Sequence, residues 1–321
     1  MKTFIIGSND AGQRLDKFLT KAVPGLPPAL LYKSIRLKRI KCNGKRCEIS
    51  TRLAQGDRLE LYLNDDLFEG PSAETAFLKV SGSLNILYED ENLLLLNKPV
   101  GLLVHEDDSG QTDTLINRVL RYLYDKKEYD PAAENSFVPA LCNRIDRNTQ
   151  GIVIAAKNAP TLRIMNQKIK EHQLQKLYLC VVFGTPAKSS DTLKGWLIKD
   201  SSQNQVQVLD RPRPGAKNIL TRYRVLGSRG RFSLLEVELL TGRTHQIRAH
   251  MAHLGHPLLG DTKYGHNRDN KGLGYKHQAL CAYRLKFDFA TPAEHLDYLR
   301  GRAFEIKDVE FARRFKAGEI V

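Results

Sequence analysis

The chain has 321 residues, of which 41% are hydrophobic, a proportion typical of packed globular proteins that excludes a disordered tail or a fibre. Fifty Lys and Arg against 36 Asp and Glu give a net charge of +14, which indicates a polyanionic partner such as RNA, DNA or an acidic membrane surface. Nucleic acid is favoured, because no stretch approaches the roughly 20 consecutive apolar residues of a membrane span.

The amino-terminal stretch, MKTFIIGSNDAGQ, lacks the apolar core of about 7 to 15 residues that marks a signal peptide, so we expect a cytoplasmic protein. The five cysteines are odd in number and scattered, and Cys42 and Cys47 do not have the spacing of a paired zinc knuckle. We therefore expect reduced thiols, most of them buried, and no metal site.

Residues 1–63 are strongly basic, with 13 Lys and Arg against 5 Asp and Glu, which is more than half of the net charge in about a fifth of the chain. Such asymmetry indicates a separate module. Apolar residues at helical spacing in QRLDKFLTKAV (13–23) predict a first helix that ends at the prolines after it. PALLYKSIRLKRI (28–40) predicts a second, amphipathic helix with a basic side.

A hairpin and a closing strand are predicted next. IKCNGKRCEI (40–49) indicates the hairpin, because Asn43-Gly44 tolerates the positive φ angles of a type I′ turn. DRLELYL (57–63) indicates the strand, since its leucines alternate with polar residues.

A run of basic residues on a helix is usually a solvated face. Here the basic helix coincides with a basic turn in a small module, so we favour contact with RNA. The expected RNA-binding residues are Lys33, Arg36, Arg39 and Lys45.

Residues 64–82 are interpreted as a linker, since acids, Gly, Pro and Ser come together there without periodicity. Residues 83–321 alternate strand-like runs such as GIVIAAK (151–157) with helical runs such as DTLINRVLRYLYDK (113–126). This pattern predicts a second domain of the mixed α+β class around one core.

Four stretches of the second domain, in the right order, resemble the RluA-type RNA pseudouridine synthases. They are LLLLNKPVGLLVHE (94–106), NRIDRNTQGIVIAAKN (143–158), KLYLCVVFG (176–184) and LTGRTHQIRAHMAHLGHPLLGDTKYG (240–265). Residues 1–63 resemble the small RNA-binding module named after ribosomal protein S-four, in which RLDKFL opens the first helix. The resemblance implies a catalytic domain with a mixed, largely antiparallel sheet behind a small α/β RNA-binding domain.

The same resemblance implies that the protein isomerises specific uridines in structured RNA. The appended module favours large-subunit ribosomal RNA as substrate, with transfer RNA as the alternative. The reaction breaks a C–N bond and forms a C–C bond to the same ribose without an outside reagent, so no cofactor is expected. Flipping a base costs a few kcal/mol, least outside duplexes, so we expect a non-duplex target. We favour a monomer that binds RNA and no membrane.

Asp146 is the expected catalytic residue. A carboxylate can add to an electrophilic carbon or act as a base, and Asp146 occupies the decisive position of the second motif. Burial would raise its pKa, whereas a cation ~4 Å away at an effective dielectric near 20 opposes this with on the order of 4 kcal/mol. By resemblance that cation is Arg248, while Arg144 contacts the RNA backbone or shapes the loop.

Two apolar contacts are expected around the base. By resemblance Tyr178 stacks on the flipped uracil and helps to move a proton, and Ile247 supplies another wall of the pocket. The alternative for both side chains is ordinary core packing.

A histidine cluster in the last motif invites a metal interpretation. Its spacing is not H-E-x-x-H, and no Cys, Asp or Glu within the cluster completes a ligand set, so we expect solvated or RNA-facing histidines. The residues are His245, His250, His253 and His256.

The second motif departs from the family pattern, which reads His-Arg-Leu-Asp before Thr-Ser-Gly. This chain has Asn143, Ile145 and Gln150 at three of those places. Asn143 predicts altered hydrogen bonding or RNA contacts rather than lost activity. The departures motivate a second hypothesis, a non-catalytic RNA-binding or assembly protein. A glycosidase would need another carboxylate, which the sequence does not signal near Asp146.

Overall fold

The computed structural model describes residues 1–68, 75–200 and 205–320. No helix within these ranges is long and apolar enough to cross a membrane. The predicted linker falls partly on residues 69–74, which lie outside the described residues. Its described parts include a short 3₁₀ helix at Asp65–Phe68.

A four-stranded antiparallel sheet and two helices make up residues 1–63. In chain order these elements are β1 (Lys2–Ile5), α1 (Leu15–Ala22), α2 (Pro28–Arg36), β2 (Ile40–Cys42), β3 (Lys45–Arg46) and β4 (Arg58–Leu61). The strand order is β1-β4-β2-β3. Leu59, Leu61 and Phe18 are fully buried, so both helices pack on one face of this sheet around a core of its own.

The predicted turn at Asn43-Gly44 is confirmed, since φ is 53° at Asn43 and 72° at Gly44, between β2 and β3. The predicted length of the second helix is wrong, because α2 ends at Arg36. Leu37, which was expected on the apolar face, is 50% exposed, and Lys38 adopts a left-handed φ of 61° that turns the chain into β2. Arg39 therefore lies in the connection rather than on the helix.

A larger, mixed sheet with helices on both faces forms the rest of the chain. Its first elements are β5 (Ile86–Glu89), β6 (Leu93–Lys98), α3 (Leu115–Asp125), β7 (Ala140–Leu141), β8 (Gln150–Ala156), α4 (Ala159–Lys170), β9 (Leu174–Phe183) and β10 (Ser190–Asp200). These are followed by β11 (Gln205–Leu209), β12 (Lys217–Arg229), β13 (Phe232–Leu239), α5 (Gln246–His253), α6 (Asn267–Asn270), β14 (Leu280–Phe287), β15 (Ala303–Glu305) and α7 (Glu310–Ala317).

The strands of the larger sheet run in the order β11-β10-β12-β13-β9-β14-β8-β6-β5, with β15 beside β14 and β7 beside β8. Every described pair is antiparallel except β14 with β8. The predicted α+β class, with a mixed and largely antiparallel sheet, is confirmed.

Alternating residues of the central strands point to opposite faces of this sheet. On β9, Leu179 and Val181 pack with α4 and α7 on one face, whereas Tyr178 and Cys180 pack with α5 on the other. Gly151, with φ of 138°, lies so close to β14 that an added Cβ would be 2.5 Å from backbone atoms of Ala282. Glycine at this position therefore lets β14 join β8 directly behind the loop that carries Asp146.

Hydrogen bonds join the first module to the larger domain. The Asp10 carboxylate, almost fully buried, accepts from Ser136 Oγ at 2.6 Å and from Asn135 Nδ2 at 2.8 Å. Asn9 donates to Glu134 at 2.7 Å and accepts from the backbone N–H of Ala159 at 3.0 Å. These contacts fix the module against the loop before β7 and the start of α4.

Candidate active site

Asp146 lies in the loop between β7 and β8, at the rim of a cleft of about 690 Å³. The loop turns tightly, since the N–H of Thr149 donates to the carbonyl of Asp146 at 3.0 Å. Thr149 is buried, and its hydroxyl accepts from Gln278 at 3.2 Å. The Asp146 side chain keeps 24% exposure, so the carboxylate is held in place and still faces the cleft.

Arg248, on the first turn of α5, is the cation beside Asp146. Its Nη1 donates to Asp146 Oδ2 at 3.0 Å. Its Nε and Nη2 bind the two oxygens of Asp261 at 2.7 and 3.0 Å, and the Asp261 side chain is fully buried. The predicted proximity of Arg248 to Asp146 is thus present. The two hydrogen bonds to Asp261 fix the orientation of the guanidinium.

The guanidinium of Arg248 stays positively charged. Burial acts to lower the pKa of Arg248, but the hydrogen bonds and charges of Asp261 and Asp146 outweigh it and raise the pKa above the ordinary value. Asp261 is itself held by the N–H groups of Lys263 and Tyr264, at 2.9 and 3.2 Å from Oδ1. A fixed positive charge therefore stays next to Asp146 at any pH at which the protein is folded.

His245 lies beside the same carboxylate, with its Nε2 3.8 Å from Asp146 Oδ2. Its Nδ1 is 2.9 Å from the hydroxyl of Tyr264, which already accepts the N–H of Val206 at 3.0 Å. The hydroxyl can then donate its own proton to Nδ1, which places the imidazole proton on Nε2, towards Asp146. Burial lowers the pKa of His245, against the opposing charge of Asp146, so the neutral ring is favoured.

Tyr178 and Ile247 form the apolar wall of the cleft. They are 6% and 3% exposed and pack with Leu280 in the cluster between the sheet and α5. Burial, and then the charge of Asp146, raises the pKa of Tyr178 well above its usual range. The phenol therefore stays protonated at neutral pH and can donate a hydrogen bond.

Lys98, at the end of β6, ties two loops of the site together. The side chain is fully buried, and its Nζ donates to the carbonyls of Pro99, Leu102 and Arg147, each at 2.9 Å. Since Arg147 follows Asp146, this ammonium group fixes the catalytic loop to the turn after β6.

Replacing Lys98 with Met is expected to lower the free energy of unfolding by about 3 kcal/mol, because three buried carbonyls lose a charged donor. Burial, against the charge of Asp146, lowers the pKa of Lys98 to about 8. Between pH about 8 and about 10.4 the unfolded chain binds more protons at Lys98 than the folded chain does, so Lys98 makes the free energy of unfolding of wild type rise with pH. The difference in stability between wild type and Lys98→Met should therefore grow over this range. Urea unfolding from pH 7 to 10 measures both effects.

Lys286→Met is the matched control for this experiment, because Lys286 makes an exposed ion pair with Asp288. Such a pair contributes little to stability. If Lys98→Met and Lys286→Met have the same unfolding midpoint, Lys98 does not hold the two loops together.

The departures from the family pattern take structural roles. Asn143 Oδ1 accepts from the N–H of Ile154 at 2.8 Å, and its Nδ2 lies 3.3 Å from the carbonyl of Ile152. Gln150 Nε2 lies 3.4 Å from Oδ1 of Asn97. Asn143 therefore binds strand β8, and Asp146 and Arg248 are paired in its presence. The expected effect of Asn143 on RNA contacts stays a prediction.

The two arginines beside Asp146 in the sequence make no ion pair with it among the described residues. Arg144 is exposed in the cleft, and no side-chain bond of its guanidinium occurs in the described ranges. Arg147 binds the carbonyl of Gly101 at 3.1 Å and the side chain of Gln111 at 3.2 Å. Arg147 therefore supports the loop, whereas the expected contact of Arg144 with RNA stays a prediction.

The basic residues of the first module are exposed and do not line this cleft. They are Lys33, Arg36, Arg39 and Lys45. Nothing in the described structure neutralises their side chains. The structure thus keeps the expected RNA-binding residues and the catalytic candidates in separate places.

The four histidines of the last motif have different surroundings. His245 lies in the site, His253 pairs with Asp210 at 2.9 Å, and His256 binds the carbonyl of Phe183 at 2.8 Å. The expectation of a solvated or RNA-facing ring is wrong for His250, which is 3% exposed, bonds to Thr221, and has its pKa lowered to about 4 by burial. In the ranges that the structure describes, no three His, Cys, Asp or Glu side chains are grouped as a metal site.

Three residues that support the site were not assigned a role from the sequence. Asp261 and Tyr264 both stand in the quoted string that ends in GDTKYG, and Lys98 stands in LLNKP. The available signal was a Gly followed by an Asp and, three residues after that Asp, a Tyr. Neither residue was assigned a role, because their partners come from α5.

Several known proteins are similar to this chain. The model of the RNA pseudouridylate synthase family matches residues 92–253, a range that contains Asp146, Tyr178 and Arg248. An uncharacterized RNA pseudouridine synthase of Chlorobaculum parvum is 34% identical over 301 residues, covering 89% of both chains. The ribosomal large subunit pseudouridine synthase C of Vibrio parahaemolyticus is 30% identical over 298 residues, covering 91% of this chain and 90% of its own.

Among solved structures, human RNA pseudouridylate synthase domain containing 4 superposes with a TM-score of 0.55 and 24% identity. The match covers 71% of this chain and 89% of the human chain. At that identity the similarity supports the fold alone.

Proposed function

The chain belongs to the RNA pseudouridylate synthase family and is an RNA pseudouridine synthase, and from that premise we propose that its substrate is large-subunit ribosomal RNA. Relatives from Vibrio parahaemolyticus, Haemophilus ducreyi and Salmonella typhi, 30 to 31% identical over about nine-tenths of this chain, are named for that substrate. The cytoplasmic location and monomeric state expected from the sequence fit this substrate and stay predictions.

We propose that Asp146 is the residue that attacks the target nucleotide. The observation that carries this role is the 3.0 Å bond from Arg248 Nη1, which holds the carboxylate at the cleft. Attack forms a covalent bond between the carboxylate and the nucleotide, the C–N glycosidic bond breaks, and a C–C bond then forms from the sugar to C5 of the uracil. The bond to the carboxylate breaks in turn, which regenerates Asp146, and N1 of the uracil takes up a proton. The hydrogen that leaves C5 goes to water.

In the same proposal, Tyr178 and Ile247 hold the flipped base. An apolar wall suits this task, since the uracil has lost the stacking of its neighbours. Because its pKa is raised, Tyr178 stays protonated at neutral pH and can donate a hydrogen bond to the uracil. Arg144, exposed and unbonded in the cleft, is assigned to the RNA backbone.

Residues 1–63 are proposed to be an RNA-binding domain of the S-four-like kind, joined by residues 64–82 to a catalytic domain of residues 83–321. A separate hydrophobic core and a separate sheet support the first boundary. The exposed cations on α2 and after the turn of the hairpin would contact phosphates, so that this domain sets where the RNA is held.

The substrate is tested by incubating the protein with transcripts of the large-subunit ribosomal RNA and, separately, with pooled transfer RNA transcripts. Pseudouridines are then mapped by carbodiimide modification and primer extension. We expect new stops in the ribosomal transcript at unpaired uridines. Stops confined to transfer RNA would contradict the proposed substrate and leave the activity in place.

Neutralising the basic residues of the first domain in the full chain is expected to weaken RNA binding and to flatten its salt dependence. Each lost phosphate contact removes about 0.7 from the slope of log K against log salt, so four contacts remove up to about 3. The substitutions replace Lys33, Arg36, Arg39 and Lys45 with Met. Filter binding at several salt concentrations measures the slope.

The control removes the same number of charges from the carboxyl-terminal region, where α7 packs on the opposite face of the large sheet from Tyr178. Its substitutions replace Lys286, Lys307, Arg313 and Lys316 with Met. Equal slopes for the two variants would show that the first domain does not contact RNA through these side chains.

A further inference from the structure

Lys176 lies two residues before Tyr178 on strand β9, so both side chains are on the same face of the sheet. Both line the active-site cleft. Lys176 also lines an adjoining hollow of about 420 Å³, together with Gly242 and Arg243 from the turn before α5. A methyl group added to Gly242 would lie 3.9 Å from Lys176 Nζ, which places the ammonium group beside that turn.

Lys176 is half-buried, and its ammonium group has no hydrogen-bond or ion-pair partner among the described residues. Burial lowers its pKa, with no opposing carboxylate. Taking an unpaired charge partly out of water is unfavourable, and a protein ordinarily offsets this by supplying partners. Lys176 therefore holds an unsatisfied positive charge directed at the cleft.

Lysines of this protein that are more deeply buried than Lys176 have such partners. Lys98 donates to three backbone carbonyls. Lys168 Nζ lies within 3.1 Å of oxygens of Gln173 and Thr291, and Lys157 pairs with Glu89 and Glu128. The absence of such partners at Lys176 is thus a local feature of the site.

The surroundings of Lys176 are positive. Arg243 is exposed on the same hollow, and its guanidinium has no partner in the described ranges. Two acids, Glu238 and Asp288, also line the hollow. Glu238 binds Arg222 at 2.7 Å, and Asp288 binds Lys286 at 3.0 Å, so both carboxylates have other partners.

We propose that Lys176, with Arg243 beside it, binds the phosphate group of the target nucleotide. An anion with several acceptor oxygens, such as a phosphate, is the ligand that would pair with a half-buried ammonium and a nearby guanidinium. In this arrangement the uracil stacks on Tyr178, which is the next side chain after Lys176 on the same face of β9, and the phosphate of that nucleotide reaches Lys176 and Arg243. The phosphate is either the 5′ or the 3′ group of the uridine, and the identity of the base rests on the proposed function.

The test compares three ligands on the full-length protein: uridine, uridine 5′-monophosphate and uridine 3′-monophosphate. Dissociation constants are measured by NMR titration for wild type, Lys176→Met and Lys316→Met. The control, Lys316, is an exposed lysine on α7, on the opposite face of the large sheet. We expect one of the two nucleotides to bind wild type and Lys316→Met about 10-fold more tightly than uridine, the gain of one charge-assisted hydrogen bond. This preference should disappear in Lys176→Met.

Thermal unfolding gives a second measurement. Because Met replaces a half-buried charge that has no partner among the described residues, Lys176→Met should unfold at the same temperature as wild type or higher. A fall of several degrees would show that the ammonium has partners in the protein, and would overturn the proposal. So would a nucleotide preference that is absent in wild type or unchanged in Lys176→Met. Nucleotide binding can be measured without turnover. If the protein is inactive on every RNA but still binds a uridine monophosphate more tightly than uridine, the proposed function is contradicted and the phosphate site is not.

Discussion

Replacing Asp146 with Asn is expected to lower the rate of pseudouridine formation by about 10³-fold or more, the scale seen when a nucleophile is removed. The amide cannot form the covalent bond or accept the proton that an ionised carboxylate accepts. Arg248 keeps both hydrogen bonds to Asp261, so its charge remains paired and the variant should fold. Single-turnover conversion of a large-subunit transcript measures the rate.

RNA affinity should be nearly unchanged in Asp146→Asn, because most phosphate contacts are assigned to the first domain and to cations outside this loop. Asp308→Asn is the matched control, since Asp308 makes only an exposed ion pair with Arg313 near the start of α7. If Asp146→Asn converts uridine at the rate of Asp308→Asn, then Asp146 is not the residue that attacks the nucleotide.

The second large effect is expected at Asp261, which lies behind Arg248. Asp261→Asn replaces a buried carboxylate that makes two hydrogen bonds to the guanidinium. Removing the fully buried partner of this ion pair leaves the partly exposed Asp146 as the partner of the guanidinium and costs about 3 kcal/mol of stability. The rate should also fall, by about 10-fold or more, since Arg248 loses the contacts that aim it at Asp146.

The two effects can be measured separately, because denaturant unfolding gives stability and single-turnover kinetics below the unfolding transition gives the rate. A positioning role predicts a loss of rate with little change in RNA affinity. Should Asp261→Asn lose stability but keep the wild-type rate, Asp261 would support the fold without orienting Arg248.

Local patterns in the sequence predicted local structure well. Leu59 and Leu61 alternate with polar residues and are fully buried on one strand, and Asn43-Gly44 forms the expected turn. The helix before that turn was predicted too long. Its apolar spacing continues through Leu37, and only the left-handed backbone at Lys38 ends it. Spacing alone cannot show where tertiary contacts stop a helix.

The site was predicted only in part, and the prediction came from the family resemblance rather than from local patterns. The resemblance named Asp146 and Arg248 as neighbours, and their side chains meet across 102 positions of sequence. Asp261 was not named, because a buried acid can be distinguished from a surface acid only after the chain around Gly260 and α5 has folded. Lys176 was also missed, since an unpaired charge is defined by the contacts it does not make.

The most direct test of the account uses large-subunit ribosomal RNA transcribed with uridine that carries tritium at C5, because the new C–C bond expels that hydrogen. Wild-type protein is incubated with this RNA beside its Asp146→Ala variant, and tritium released to water is counted. We predict release by wild type, none above background by the variant, and less from transfer RNA labelled in the same way. Equal release by the two proteins, or no release from any of these RNAs, would contradict the account.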